Sequence, residues 1–373
     1  MLLNITLAVA LTALDFAPSM QAQFYDAITN CHIPTAIAGS NTFHGSTFHG
    51  SPMHKEIRAV VTADFEAVNR FVVDQLHSNV PLVESIGHYI VDAGGKRMRP
   101  ILVLLSAKCC GYEGDAHISL ASVIEFIHTA TLLHDDVVDM SAMRRGRPTA
   151  NQQWSNPSSV LVGDFIYSRA FQILVKINSM EIMRIVADTT NRIAEGEVLQ
   201  LINKHNSAAT QASYMNVIRD KTAILFQAAA ECGAIIAGAT NEQRQILRDF
   251  GMHIGMAFQL IDDVLDYDGD AVTMGKNVGD DLAEGKPTLP LIHAMRTASA
   301  EEADVLRASI TNGTLDHLES VIAIVRKSGG LEYTRQLAQD EVDKARALLR
   351  GIEPSVYRSA LEDMANLALN RSS

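Results

Sequence analysis

The chain has 373 residues, 47% of them hydrophobic and only 20% charged, enough apolar material for one large buried core. Its formal net charge of −12 argues against non-specific binding to nucleic acid. The four cysteines (Cys31, Cys109, Cys110, Cys232) have no zinc-type spacing and the adjacent pair is poor disulfide geometry, so a reducing compartment is expected.

Residues 1–52 contain no Lys or Arg. The apolar run from Ile5 to Leu14 is too short for a bilayer, which takes about 20 apolar residues. The basic start of a secretory signal and the arginines of a mitochondrial presequence are both missing. Asn41 to Ser51 is an aperiodic Gly/Ser/Thr/His tract. Residues 1–52 are therefore expected to be a disordered extension upstream of a functional start near Met53, an atypical targeting segment being the other reading. Residues 53–373 would form one domain.

From Glu56 onward the apolar positions recur at helical spacing, as in Val61, Phe65, Val68, Phe71 and Val72. Breaks at Gly94–Gly95, Gly111 to Gly114, Gly146 to Pro148, Ser155 to Pro157, Asn203 to Ala208, Gly238 to Asn241, Gly269 to Gly279 and Gly329–Gly330 cut the chain into roughly ten helices. No series of alternating strands stands out, so the expected class is all-α. The stretch Ala121 to Leu133 is apolar nearly all round and should be a central helix.

Three kinds of charged motif lie on this frame. The first, Gly94-Gly95-Lys96-Arg97-Met98-Arg99-Pro100, is a glycine-opened turn entering a helix, where backbone can come close to an anion. The second is an acidic triplet, Asp135-Asp136-Val137-Val138-Asp139, repeated as Asp262-Asp263-Val264-Leu265-Asp266. Residues i and i+4 of a helix lie about 6 Å apart on one face. Asp135 and Asp139 can thus aim at one point, and so can Asp262 and Asp266, with Asp136 and Asp263 a step round in support. Such crowded carboxylates call for a cation, and Mg²⁺ suits them because it completes its shell with water and phosphate. One DDxxD alone reads equally well as a solvated helix end; two, each closing an apolar helix, favour metal. The third kind is cationic: Arg144 and Arg145, then Lys221-Thr222, then Lys276 and Lys286 flanking Asp280-Asp281. Arginine forks and lysine point charges both match phosphate oxygens.

The segments GGKRMRP, LLHDDVVDMSAMRRGRPTAN, GDFIYSRAF, AEGEVLQL, KTAILF, FQLIDDVLDY and GKNVGDDLAEGKPTLPL together resemble the trans-isoprenyl diphosphate synthases. More narrowly the set looks like the bacterial octaprenyl diphosphate synthases, which make quinone side chains. The resemblance runs from about Met53 to near the C-terminus. It implies a single-domain isoprenoid-synthase bundle around a deep apolar cavity, and a Mg²⁺-dependent prenyltransferase that condenses an allylic diphosphate primer with isopentenyl diphosphate.

The resemblance also implies roles at matching positions. Asp135, Asp139, Asp262 and Asp266 would hold three Mg²⁺ ions, with Mn²⁺ able to substitute. Arg144, Lys221, Lys276 and Lys286 would contact the allylic diphosphate, while Thr222 and Gln259 face its reacting carbons. Lys96, Arg99, His128 and Arg145 would bind isopentenyl diphosphate; by residue pattern alone His128 reads as a packed core side chain. A homodimer in a bacterial cytoplasm is implied as well, without a transmembrane span or nucleic-acid partner, and with at most transient membrane contact when product leaves.

Product length is expected to depend on Ala130 and Thr131, about one turn before Asp135, where small side chains leave a channel open. A helix from near Ile118 to Asp139 spans about 33 Å. At roughly 4–5 Å per isoprene unit, about seven or eight units fit beside it, favouring C40 over C15 or C20. Ala130→Tyr is expected to shorten the product. Nonaprenyl or shorter products such as geranylgeranyl stay open. A class I terpene cyclase would carry a different second metal motif, and a non-catalytic partner subunit would have lost part of the acidic triplets. Trp154, Glu195, Glu197 and Gln200 read as structural.

Overall fold

The structure is a computed structural model and describes residues 52–268 and 278–370. The expected extension, apart from Pro52, and Lys276 lie outside the described residues. Helices α1 (Pro52–Ala59), α2 (Thr62–Gln75), α3 (Pro81–Asp92) and α4 (Met98–Cys109) lead into α5 (Ala116–Val138). A two-residue antiparallel hairpin follows, β1 (Met143–Arg144) with β2 (Arg147–Pro148). Then come α6 (Ala150–Gln153), α7 (Asn156–Ile177), α8 (Met180–Asn203), α9 (Gln211–Ile218), α10 (Ile224–Ile236) and α11 (Asn241–Asp268). The chain closes with α12 (Asp280–Ala283), α13 (Leu289–Thr297), α14 (Ala300–Asn312), α15 (Leu318–Lys327), α16 (Gly330–Leu348) and α17 (Val356–Leu369). The all-α expectation holds, with more helices than the breaks suggested.

Local chemistry explains one of the additional breaks. Residues 164–195 contain no glycine or proline, yet α7 stops at Asn178, which takes a left-handed conformation (φ 57°). Asparagine tolerates that region better than most residues. Ser179 then caps α8 by accepting from the Ile182 N–H. Similar serine caps open α7, α14 and α17.

Helix α5 is the central post, packed by α2, α4, α7 and α10. Leu120, Val123, Ile124, Phe126, Ile127 and Leu133 are fully buried. The helix is long and apolar enough to cross a membrane, but 67% of its apolar window is enclosed by protein, as suits a core helix. Helix α11 is the second post, flanked by α10 and α16.

Between α9 and α10 the chain widens into one π-helical turn, Arg219–Ala223, which carries Lys221 and Thr222. Two glycines let α8 and α11 close on it. A Cβ on Gly196 of α8 would lie 2.8 Å from the Lys221 backbone nitrogen, and one on Gly255 of α11 would lie 2.5 Å from the Ala223 Cα. Side chains at either place would push the π turn, and Lys221 with it, out of position.

Candidate active site

The two acidic helix ends meet at one cavity of about 390 Å³. Its walls come from the ends of α5 and α11, the inner face of α8, the π turn, the hairpin and the loop between α12 and α13. On α5 the lining residues are His128, Thr131, Leu132, Asp135 and Asp139, a stripe with the three-four spacing of one helical face. On α11 they are Phe258, Gln259, Asp262 and Asp263. Leu132, Val217, Ile218 and Phe258 supply apolar surface, but this end of the cavity is dominated by charge.

Three expected site residues are placed elsewhere. Ala130 is fully buried in the core cluster and does not line the cavity. One residue before Thr131, it is turned about 100° round the helix. Asp266 is buried one turn beyond Asp262 and is not among the lining residues, and its carbonyl accepts from the Gly279 N–H at 2.9 Å. Asp280 and Asp281 of α12 line the cavity in its stead. Lys96 is half-buried outside the lining, its carbonyl accepting from His54 Nε2 at 2.7 Å.

The cations are held in an acidic lattice. Lys221 Nζ pairs with Glu197 at 2.7 Å and stands 3.7 Å from Asp135. Burial alone would lower its pKa, but Asp135 and Glu197 raise it, so it stays charged. Burial pushes the Glu197 carboxyl up, opposed by Lys221 and reinforced by Asp135. Asp139 accepts from Lys204 Nζ at 2.8 Å and from Lys286 Nζ at 3.0 Å. Burial pushes its carboxyl up too, yet Lys286, Lys204 and Lys221 outweigh that and hold it down to about 2.

Asp136 and Asp263 orient neighbours. Asp136 is buried and takes the Arg144 fork, with Nε at 2.9 Å and Nη2 at 2.7 Å from Oδ1. Asp263 accepts from the Tyr214 hydroxyl at 2.5 Å and from Gln259 Nε2 at 2.8 Å, and Gln259 Oε1 accepts from Thr222 Oγ1 at 3.0 Å. Burial pushes both carboxyls up.

A basic pocket adjoins them. The Arg99 guanidinium lies 4.3 Å over the Phe226 ring, and Arg145 turns inward from the hairpin with φ 52°. Gly95 makes room for it, since a Cβ there would come within 2.7 Å of the Arg145 guanidinium. Burial, then Arg99 and Arg145, push the His128 pKa well below its ordinary value, leaving a neutral imidazole. Arg97, in the same glycine-opened turn, is used structurally: it pairs with buried Glu125 at 2.9 Å.

Glu197 and Gln200, read from the sequence as structural, line the cavity, and Lys204, which the sequence did not single out, pairs with Asp139. Glu197 and Gln200 share one face of α8, a spacing visible in the sequence. Nothing in the sequence says that this face meets α5.

Among the described residues no group of three or more His, Cys, Asp or Glu side chains forms a ready-made metal cage. The donor set still fits a hard divalent ion. Asp135, Asp139 and Asp262 offer only oxygen to one cavity, and three ammonium groups already stand beside the carboxylates of Asp135 and Asp139. Mg²⁺ needs one or two protein carboxylates and takes the rest of its shell from water and phosphate.

Aspartate-bearing helix ends facing each other across a cavity, beside an arginine pocket in an all-α bundle, define a metal-dependent prenyltransferase. The chain belongs to the polyprenyl synthetase family, whose sequence pattern matches residues 80–325. It is 50% identical over 318 residues to the octaprenyl diphosphate synthase of Escherichia coli (strain K12), covering 85% of this chain and 98% of that one. It is 49% identical over 318 residues to the all-trans-nonaprenyl-diphosphate synthase (geranyl-diphosphate specific) of Rhodobacter capsulatus, with the same coverage. Among solved structures, the polyprenyl synthase from Caulobacter crescentus CB15 complexed with calcium and isoprenyl diphosphate superposes with a TM-score of 0.84 at 42% identity, covering 86% of this chain and 98% of that one. The family uses divalent metal ions, an allylic diphosphate and isopentenyl diphosphate.

Proposed function

We propose that the chain is a long-chain trans-polyprenyl diphosphate synthase with an octaprenyl product, supplying a quinone side chain as a cytoplasmic bacterial homodimer. The observation that carries this is the single cavity shared by Asp135, Asp139 and Asp262 with the Arg99–Arg145–His128 pocket. Relatives named for eight-unit and nine-unit products are similar to the same degree and support the long-chain class. Exposed Leu161 of α7 and Leu201 and Ile202 of α8 offer apolar surface to a second copy.

In this assignment Asp135, Asp139 and Asp262 hold Mg²⁺, three ions with Mn²⁺ able to replace them, and Asp136 and Asp263 orient the groups beside them. When bound, the metal supplies Lewis-acid neutralisation of the leaving diphosphate. Lys221, Lys286 and Arg144 place fixed positive charge where the allylic diphosphate gathers negative charge as its C–O bond breaks, with Lys276 contributing from the segment after α11. Thr222 and Gln259, locked to each other and to Asp263, present oxygen atoms towards the allylic cation. Arg99, Arg145 and neutral His128 bind the isopentenyl diphosphate so that its alkene attacks that cation. A proton is then lost to the departed diphosphate, and no side chain is required as base.

The test is product sizing with purified protein, Mg²⁺, farnesyl diphosphate and radiolabelled isopentenyl diphosphate. Products ending near C40 are expected; products that stop at C20 contradict the reading. Thr131→Phe, at the cavity wall, is expected to shorten the product by at least one unit. Ala130→Tyr should shorten it too, while also costing about 1–3 kcal/mol of stability by overpacking the core. Unchanged length in both variants rules out a product track along α5.

A further inference from the structure

Both carboxylate oxygens of Asp139 are taken by ammonium groups that arrive from different elements. Lys204, just past the end of α8, donates to Oδ1 at 2.8 Å; Lys286, in the loop before α13, donates to Oδ2 at 3.0 Å. Each oxygen keeps a second lone pair, but another cation drawn to either one meets the positive charge of an ammonium group already there.

The two lysines are held unequally. Lys286 also pairs with Glu284, and its backbone N–H donates to the Asp281 carbonyl at 2.8 Å. Burial would strip its proton, but Asp281, Asp139 and Glu284 push its pKa up. Among the described residues Lys204 forms its ion pair with Asp139 alone. Its backbone is fastened, because the next residue, His205, sits in a left-handed conformation and donates its N–H to the Gly285 carbonyl at 2.7 Å. That bond ties the end of α8 to the loop carrying Lys286, while the lysine side chain keeps a flexible four-carbon stem. Lys204 is therefore the cheaper of the two to move.

We propose that Lys204 is a displaceable internal counter-ion, which holds Asp139 in place in the metal-free enzyme and vacates Oδ1 when a divalent cation binds. This rests on the proposed role of Asp139 as a metal ligand. Without the lysine, Asp139 stands one helical turn from Asp135 with Oδ1 uncompensated; with it, the metal must compete with a positive charge already at that oxygen. Lys204 thus lowers the affinity of the substrate-free protein for metal, favouring uptake of the ion together with diphosphate.

The experiment is Mn²⁺ titration of the substrate-free, full-length protein, with free Mn²⁺ read by electron paramagnetic resonance. Lys204→Met is expected to bind Mn²⁺ roughly three- to tenfold more tightly than the parent. Lys204→Arg, which keeps the charge, should stay within about twofold of the parent. Lys204→Gln serves if the methionine variant does not fold. An affinity unchanged or weaker in the neutral variants overturns the proposal. Asp139→Asn separates the two levels: if it loses Mn²⁺ while Lys204→Met changes nothing, the site assignment stands and the counter-ion role falls. If Asp139→Asn binds Mn²⁺ like the parent, the ligand role of Asp139 falls and the counter-ion role with it.

Discussion

Asp135→Ala and Asp262→Ala should each lose roughly a hundred- to a thousandfold in kcat while keeping the parent's helical circular dichroism. The two carboxylates sit at the ends of different helices and line the same cavity, so neither is packed into the core. Asp135 shares Lys221 with Glu197, which keeps that lysine partnered when Asp135 is truncated. Removing one member of a like-charged set also relieves repulsion, so the cost in folding is small. The rate cost is large because the charge they organise matters most as the C–O bond breaks; kcat should therefore fall more than KM rises. Groups that act as a unit are not additive, and the double variant should be little worse than either single one. Steady-state assays beside circular dichroism decide it, and near-normal turnover in either variant refutes the assignment.

Lys221→Met is expected to damage both stability and rate. The ammonium lies in the π turn between Asp135 and Glu197, and its loss leaves two half-buried carboxylates without their common cation. Breaking such a pair from one side costs about 3 kcal/mol. The metal-free melting temperature should drop, and Mg²⁺ should recover part of the loss by replacing the missing charge. The kcat should remain at least a hundredfold below the parent even with saturating Mg²⁺, because a fixed charge beside the leaving group is gone. A melting temperature equal to the parent's would mean that Lys221 is not the cation balancing those carboxylates.

How far the sequence goes is clearest on α5. Its apolar run and its acidic end announced a central helix with a metal-binding tip, and the start near Ile118 was two residues from the observed Ala116. Which neighbour of Asp135 faces the cavity was harder to see. Ala121 to Leu133 is apolar nearly all round, so periodicity establishes a helix without saying which side meets the cavity; Thr131 does and Ala130 does not. The second triplet was legible as a motif, but the burial of Asp266 is set by tertiary packing that the motif does not carry. Lys204 was not singled out, and Glu197 was read as structural, for the same reason. Their cation and carboxylate acquire meaning only when α8 is laid against the end of α5. The break at Asn178–Ser179 was written in residue chemistry, a left-handed asparagine followed by a serine cap, but lacked the glycine or proline that marks most of the other breaks.

The claim on which the rest depends is that carboxylates from α5 and α11 grip the same metal cluster. A crystal structure with Mn²⁺ and a non-ionising thio analogue of the allylic diphosphate tests it directly through manganese anomalous scattering. Peaks about 2.0–2.3 Å from oxygens of both Asp135 and Asp262, bridged by diphosphate, are the predicted result. Manganese bound to only one helix end, with the analogue's diphosphate away from the other, would contradict it.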